Sequence, residues 1–373
     1  MLSMLNAPII DFHSDVSGNP AVSIFGVGIT YYALIIVAGM ILAILLSMYL
    51  FKKCGFNADD VLDYAIVLIP SAVLGCRLYF FMFPYEGTTT DWSEFFNFRS
   101  GGLAIYGGVI AGYIAVRVVA YFKMHKFERI ADIIVVVLLM AQAIGRWGNF
   151  VNQEAYGNLV ENPNLQWFPY AVHIGNNYYQ ATFFYESFLN IIGAVIAFLL
   201  LTRWKNYKRG FNLAFYFIYY GVVRLIVESF RSDSLYFLNT GIKVSQLVSA
   251  ILIVIGIVRL VLIYTKTDLK IDIWLAKTFK TRERFERNIV KAQTKADKLR
   301  EEADKLAEQL PAESKLVVSA KKKADYALLN AANVKKTVQN FYDEYYRHGL
   351  DLKTLQIVPK QKITAQENME GDK

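Results

Sequence analysis

Seven stretches of about twenty apolar residues recur along this chain, at about 24–50, 61–83, 102–122, 130–150, 181–202, 211–230 and 243–264. Each is close to the ~20 residues that a helix needs to cross a bilayer. Over 373 residues the chain is 55% hydrophobic and 15% aromatic, too apolar for an ordinary soluble protein. The expected fold class is an all-α integral membrane protein with seven transmembrane helices. A formal net charge of +8 could suggest nucleic acid, but the location of that charge argues otherwise. Lysine and arginine gather in short links between apolar runs and in the C-terminal tail, so no nucleic-acid partner is expected.

The same links set an expected orientation. Those after runs one, three and five are basic (Lys52–Lys53, KMHKFER and RWKNYKR), whereas 84–100 and 151–180 are acidic or lack lysine and arginine. The positive-inside rule then places the N-terminus outside, with 84–100 an external arm, 151–180 a small external head, and the tail in the cytoplasm. The start, MLSMLNAPIIDFHSD, has no basic region followed by an apolar core, so no cleavable signal is expected. Cys54 and Cys76 have no metal spacing and form no disulfide framework. No P-loop, GxGxxG, HExxH or CxxC occurs, so no cofactor, nucleotide or metal chemistry is expected. Residues 1–265 therefore form one expected membrane domain and 266–373 a second, charged domain. In that tail both charge signs surround Leu299, Leu306 and Leu310 at helical spacings. This pattern predicts a helical hairpin or short coiled coil, lying at the membrane face or against a cytoplasmic partner, and interleaved Glu and Asp argue against RNA.

Within the fourth run the sequence becomes polar: AQAIGRWGNFVNQEAYG, 141–157, carries Arg146, Asn149, Asn152, Gln153 and Glu154. On a helix Arg146, Asn149 and Gln153 fall at i, i+3 and i+7, on one face. An arginine at hydrocarbon depth costs roughly 2.5–3.5 kcal/mol on insertion scales, so it usually marks a substrate site. The bland alternative is an arginine snorkelling to the interface while amides join helices. Glycines 145, 148 and 157 would let backbone or ligand approach closely. Three further clusters belong to the same half of the bundle. Tyr31 and Tyr32 open the first run, either as interfacial anchors or as site residues. Gly101, Gly102, Gly107 and Gly108 bracket Tyr106, either for helix packing or for lipid. In RLIVESFR, Arg224, Glu228 and Arg231 fall at i, i+4 and i+7, either as an internal ion pair or as part of an anion site. Arginines from different helices facing one cavity suit a lipid phosphate, because the planar guanidinium fork binds phosphate oxygens bidentately.

GRWGNFVNQEAYG, with RSGGLAIYGG before it and RLIVESFRSD after it, resembles the prolipoprotein diacylglyceryl transferase family over roughly residues 24–265. The signature G-R-x-G-N-F-x-N-x-E-x-x-G is met at Gly145, Arg146, Gly148, Asn149, Phe150, Asn152, Glu154 and Gly157. The resemblance implies a bacterial plasma-membrane enzyme. It would move the diacylglyceryl group of phosphatidylglycerol to the lipobox cysteine of prolipoprotein signal peptides, releasing glycerol phosphate. By that resemblance Arg146 and Arg224 clamp the phosphate, Asn149 and Glu154 orient Arg146 and the headgroup, and Glu228 holds Arg224. Tyr32 matches the family's tyrosine in the first span. Tyr106 joins Arg146, Arg224, Glu154 and Tyr32 in the catalytic set, and Asn152, Gly157, Arg231, Gly101 and Gly102 complete the lipid site. Two departures stand out. Tyr106 occupies the place of a histidine in the glycine-rich segment. QATFFYE replaces a histidine-bearing entry to the fifth span, keeping only Tyr185 and Glu186. A tyrosine with an ordinary pKa near 10 is a poor base at neutral pH, so the base is expected to be a carboxylate or water. His173, in the head, is a weaker candidate. A non-catalytic lipid-binding or lipid-moving membrane protein is the alternative reading. A transporter is disfavoured because no internal repeat appears.

Overall fold

The computed structural model describes residues 22–24, 27–84, 91–97, 102–205, 207–231, 243–265, 267–347, 350–351, 353–354 and 356–357. It divides into two compact units, one formed by Met1–Val119 and Phe127–Val261, the other by Ala120–Lys126 and Leu262–Lys373. Gly101 lies outside the described residues.

In the first unit a short hairpin, β1 (Val22–Ile24) and β2 (Val27–Ile29), precedes α1 (Tyr31–Lys53). Thr30 caps α1 by accepting the Ala33 amide at 3.2 Å, and Lys52 and Lys53 sit in its last turn, where cations favour the helix dipole. Then come α2 (Asp60–Met82), α3 (Ile105–Phe122), α4 (Phe127–Val151), α5 (Thr182–Arg203), α6 (Phe211–Phe230) and α7 (Val244–Tyr264). Six of these helices (all but α4) are long and apolar enough to cross a membrane, judged among the described residues by length and composition. The protein is thus a multi-pass membrane protein of mostly helical structure. The fourth expected span, α4, is a different kind of helix. It buries Ile130, Ile133, Val135, Val136 and Leu139 inside the bundle, against α1, α5 and α6.

Three buried polar ties fix α4, α5 and α6 to one another. At the start of α6, Asp132 of α4 accepts the Gly210 amide at 2.6 Å and the Leu213 amide at 3.1 Å, and so satisfies amides that a helix N-terminus leaves unpaired. Asn212 donates to the Asp132 carbonyl at 3.3 Å and to the Ala197 carbonyl of α5 at 3.0 Å. Nearer the other end, Ser187 of α5 donates to the Ala143 carbonyl at 2.9 Å and accepts from the Trp147 indole at 3.2 Å. Phe150 and Phe183 stack beside that contact, ring centroids 4.5 Å apart.

Gln153 does not share the Arg146 face. The helix ends at Val151, and Gln153 and Ala155 take positive φ of 52° and 58°, which turns the chain away. Between α4 and α5 the chain forms the hairpin β3 (Ala171–Ile174) and β4 (Asn177–Gln180). The Gly157 amide donates to the Gln180 carbonyl at 3.0 Å, and Thr182 donates to the Ala155 carbonyl at 2.7 Å. The segment between α2 and α3 is gathered by Arg77, whose side chain is only 2% exposed. Its guanidinium donates to the carbonyls of Glu94 (2.7 Å), Asn97 (2.9 Å), Phe95 (3.0 Å) and Gly102 (3.2 Å).

The second unit contains α8 (Thr267–Thr278), α9 (Thr281–Gln309), α10 (Lys315–Arg347) and the pair β5 (Leu350–Asp351) and β6 (Gln356–Ile357). α9 and α10 pack on each other, and much of the buried seam is alanine (Ala296, Ala303, Ala327 and Ala331), with Leu299 packed at its side. Small residues let α9 and α10 approach closely, which a leucine seam would not. The link between α3 and α4 joins this unit through Met124, which is buried with Phe285 and Val338.

Candidate functional site

One carboxylate organises the polar groups of the first unit. Glu186 lies one turn into α5, and its side chain is 2% exposed. Its Oε1 meets Arg146 Nη2 of α4 at 2.6 Å, and its Oε2 meets Arg224 Nη1 of α6 at 2.9 Å. Arginines from two separate helices therefore converge on a single buried acid. The two guanidinium groups repel: unit charges ~5 Å apart at an effective dielectric near 20 interact by roughly 3 kcal/mol. A shared carboxylate within hydrogen-bonding distance of both offsets that repulsion and fixes the angle between the forks. The arginine side chains are 18% and 14% exposed, so each keeps an open edge where the carboxylate does not.

Each arginine has a second support. Arg146 Nη1 donates to Asn149 Oδ1 at 3.1 Å, one turn along α4, and Asn149 Nδ2 donates to Glu154 at 2.7 Å. Glu154 thus reaches Arg146 through Asn149. Arg224 Nη2 meets Glu228 Oε2 at 2.8 Å, and Arg231 lies 3.8 Å from the same oxygen. Arg231 caps α6 with an extended ψ, and its side chain still meets Glu228 on the face that Arg224 uses. Its backbone pairs with Gly157, which carries the end of the 141–157 segment to the end of α6. A Cβ on Gly157 would lie 2.7 Å from Gln180 Cβ, so glycine is needed there for packing. Asn152 closes α4 by donating its amide to the Gly148 carbonyl at 3.0 Å, and its side chain is exposed.

A tyrosine wall borders the cluster. Tyr216 and Tyr220 precede Arg224 by eight and four residues on α6, and their rings stack with centroids 5.3 Å apart. Tyr216 accepts from Gln142 of α4 at 2.9 Å, and Tyr220 lies within the fields of Glu186, Arg146 and Arg224. Tyr32 approaches from α1 at Gly148, where a Cβ would fall 2.7 Å from its Cδ2. Gly148 therefore admits this ring, and the fields of Glu154 and Arg146 reach the Tyr32 hydroxyl. Its neighbour Tyr31 is exposed.

Gly102, Gly107 and Gly108, at the start of α3, pack against α2. Gly102 has φ +70° and a carbonyl held by Arg77. Gly108 faces Cys76, whose Sγ would be 2.5 Å from an added Cβ. Tyr106 packs its ring 6.1 Å from that of Tyr79. His173 packs a tilted ring against Tyr178 across the β3–β4 hairpin, centroids 4.9 Å apart. Sequence reasoning left Glu186 and Tyr220 outside the site. Glu186 carried a signal: an acid in TFFYESFL, an apolar run with no basic residue, must find its cation on another helix.

A family model described as prolipoprotein diacylglyceryl transferase matches residues 19–262. A phosphatidylglycerol–prolipoprotein diacylglyceryl transferase of Streptococcus uberis is 41% identical over 246 residues, covering 65% of this chain and 93% of that protein. A protein of the same name from Streptococcus pneumoniae is 40% identical over 241 residues, covering 64% of this chain and 90% of its own length. The chain belongs to the prolipoprotein diacylglyceryl transferase family.

Proposed function

We propose that this protein transfers the diacylglyceryl group of phosphatidylglycerol to the lipobox cysteine of prolipoproteins. The names of its relatives support the reaction. The observation that carries the mechanism is Glu186 holding Arg146 and Arg224 at 2.6 and 2.9 Å. In the reaction the cysteine sulfur attacks a glyceryl carbon of the lipid. That carbon's bond to phosphate oxygen breaks, a thioether forms, and glycerol phosphate leaves. Negative charge grows on the departing phosphate, and arginines already fixed in place stabilise it without reorganising. The open edges of Arg146 and Arg224 bind the phosphate oxygens. Glu228, which also faces Arg231, holds Arg224, and Asn149 with Glu154 does the same for Arg146.

The thiol must lose its proton, since a free cysteine has a pKa of about 8.5 and is mostly protonated at neutral pH. Glu154 is an exposed carboxylate bound to Asn149, placed to accept that proton directly or through water. Tyr32 and Tyr106 contribute hydrogen bonds to lipid or peptide, and Asn152 and Gly102 shape the entry.

Membrane placement completes the reading. α4 has 25 residues, about 37 Å at 1.5 Å per residue, which suffices to cross. With α4 as the fourth of seven spans, all three basic links face the cytoplasm. The N-terminus and the 151–180 head then lie outside, in a bacterial plasma membrane. Residues 1–265 form the transferase domain and 266–373 a cytoplasmic extension suited to a partner or to the membrane face. The test is to incubate the purified protein with phosphatidylglycerol and a lipobox peptide and to follow peptide mass. Gain of one diacylglyceryl group supports transfer; lipid binding without any gain identifies a binder instead.

A further inference from the structure

The second unit presents one helix whose two faces have opposite tasks. On the inner face of α8, Asp272 pairs with Lys126 at 2.5 Å, and Ile273 and Ala276 pack on Tyr345 and Leu350. The other face is solvent-exposed and carries Lys270, Ile271, Trp274 and Lys277. At 100° per residue these four fall on one arc, with Trp274 at its centre, the lysines on one flank and Ile271 on the other. Trp274 is 63% exposed and Ile271 43%. A tryptophan and an isoleucine beside lysines match the face of a helix lying in a bilayer interface.

We propose that this face of α8 docks on the anionic headgroup layer of the bilayer that α7 crosses, with Trp274 as its anchor. The reading rests on α7 being a span. Chain continuity supports a lipid surface over a protein. α7 ends at Tyr264 and α8 begins at Thr267, so the connecting chain reaches at most roughly 11 Å. A face tethered that closely is held beside headgroups in every molecule, whereas a soluble partner must arrive by collision. The two lysines complement anionic lipid, and the inner face is already committed to its own unit.

The experiment uses the full chain in bilayers of phosphatidylcholine with phosphatidylglycerol. Cys54 and Cys76 are replaced by serine, and one nitroxide is attached at Trp274→Cys, Val254→Cys or Tyr326→Cys. Val254 is an exposed position on α7 and Tyr326 an exposed position on α10. Collision with oxygen reports lipid, and collision with a soluble nickel chelate reports water. The expected oxygen-to-nickel ratio at 274 is several-fold above that at 326 and falls when phosphatidylglycerol is removed. A ratio at 274 equal to that at 326, with 254 in lipid, overturns the docking and leaves the span intact. A water-like ratio at 254 overturns both. Shielding of 274 from both colliders means a protein covers it, which also overturns the proposal, as does indifference to phosphatidylglycerol. Where removal of the cysteines loosens the bundle, quenching by brominated lipid in the native chain reads the same contact. Trp274→Phe should then lose a resolvable share of the quenched emission, and no loss contradicts the anchor.

Discussion

Glu186 concentrates the electrostatics of the site, because its two oxygens serve two arginines from different helices. Replacing it by glutamine keeps the volume but leaves two partly buried guanidinium groups facing each other without a counter-charge. Removing one partner of a buried ion pair costs about 3–5 kcal/mol. Glu186→Gln should therefore lower transfer by ~10²-fold or more per folded molecule, as read by peptide mass gain. Wild-type turnover in that variant would mean the arginines are held by something else. Tyr106→Phe tests the opposite expectation. The ring packs on Tyr79, and a phenol is a poor base at neutral pH, so transfer should stay within a few-fold of wild type. Abolished transfer with lipid binding intact would make Tyr106 the base. The arginines, Asn149 and Glu228 were legible in the sequence because charged groups in apolar runs are costly and therefore conspicuous. Glu186 was harder to place: its partners are 40 and 38 residues away in the chain, and only the packing of α4, α5 and α6 joins them.

Helix lengths were the most readable feature, since bilayer thickness fixes them at ~20 residues and leaves a continuous apolar run. Helix ends were less so. The fourth run continues into polar residues without a glycine to mark its stop, and positive φ at Gln153 and Ala155 ends the regular face that the spacing suggested. The tail shows the same limit, because leucine spacing suggested the seam whereas alanines form much of it. Packing between elements makes its own predictions. A Cβ at Gly148 would lie 2.7 Å from the Tyr32 ring, so Gly148→Ala should push α1 from α4. Overpacking of this kind costs about 1–3 kcal/mol, and the thermal midpoint in detergent should fall together with activity. An unchanged midpoint would show that Tyr32 can move aside freely. Asp132→Ala removes the acceptor for the Gly210 and Leu213 amides and should cost stability typical of a lost cap, about 0.5–2 kcal/mol, read as a lower midpoint.

Across the whole chain the family match ends at residue 262, and the residues beyond it belong to a unit with its own core. That unit includes the α3–α4 link, with Met124 buried beside Phe285 and Lys126 bonded to Asp272. Deleting residues from about 270 onward should therefore spare the chemistry while exposing Met124 and lowering folded yield and thermal midpoint. Complete loss of transfer in a well-inserted truncation would give the extension a part in catalysis. The most direct test of the arginine pair is the peptide-lipidation rate of wild type beside Arg146→Ala, Arg224→Ala and the double variant, each shown to be inserted and folded. Two groups acting as one phosphate clamp are non-additive, so each single change should cost about 10²–10³-fold and the double change little more. Either single variant turning over at the wild-type rate would contradict the clamp.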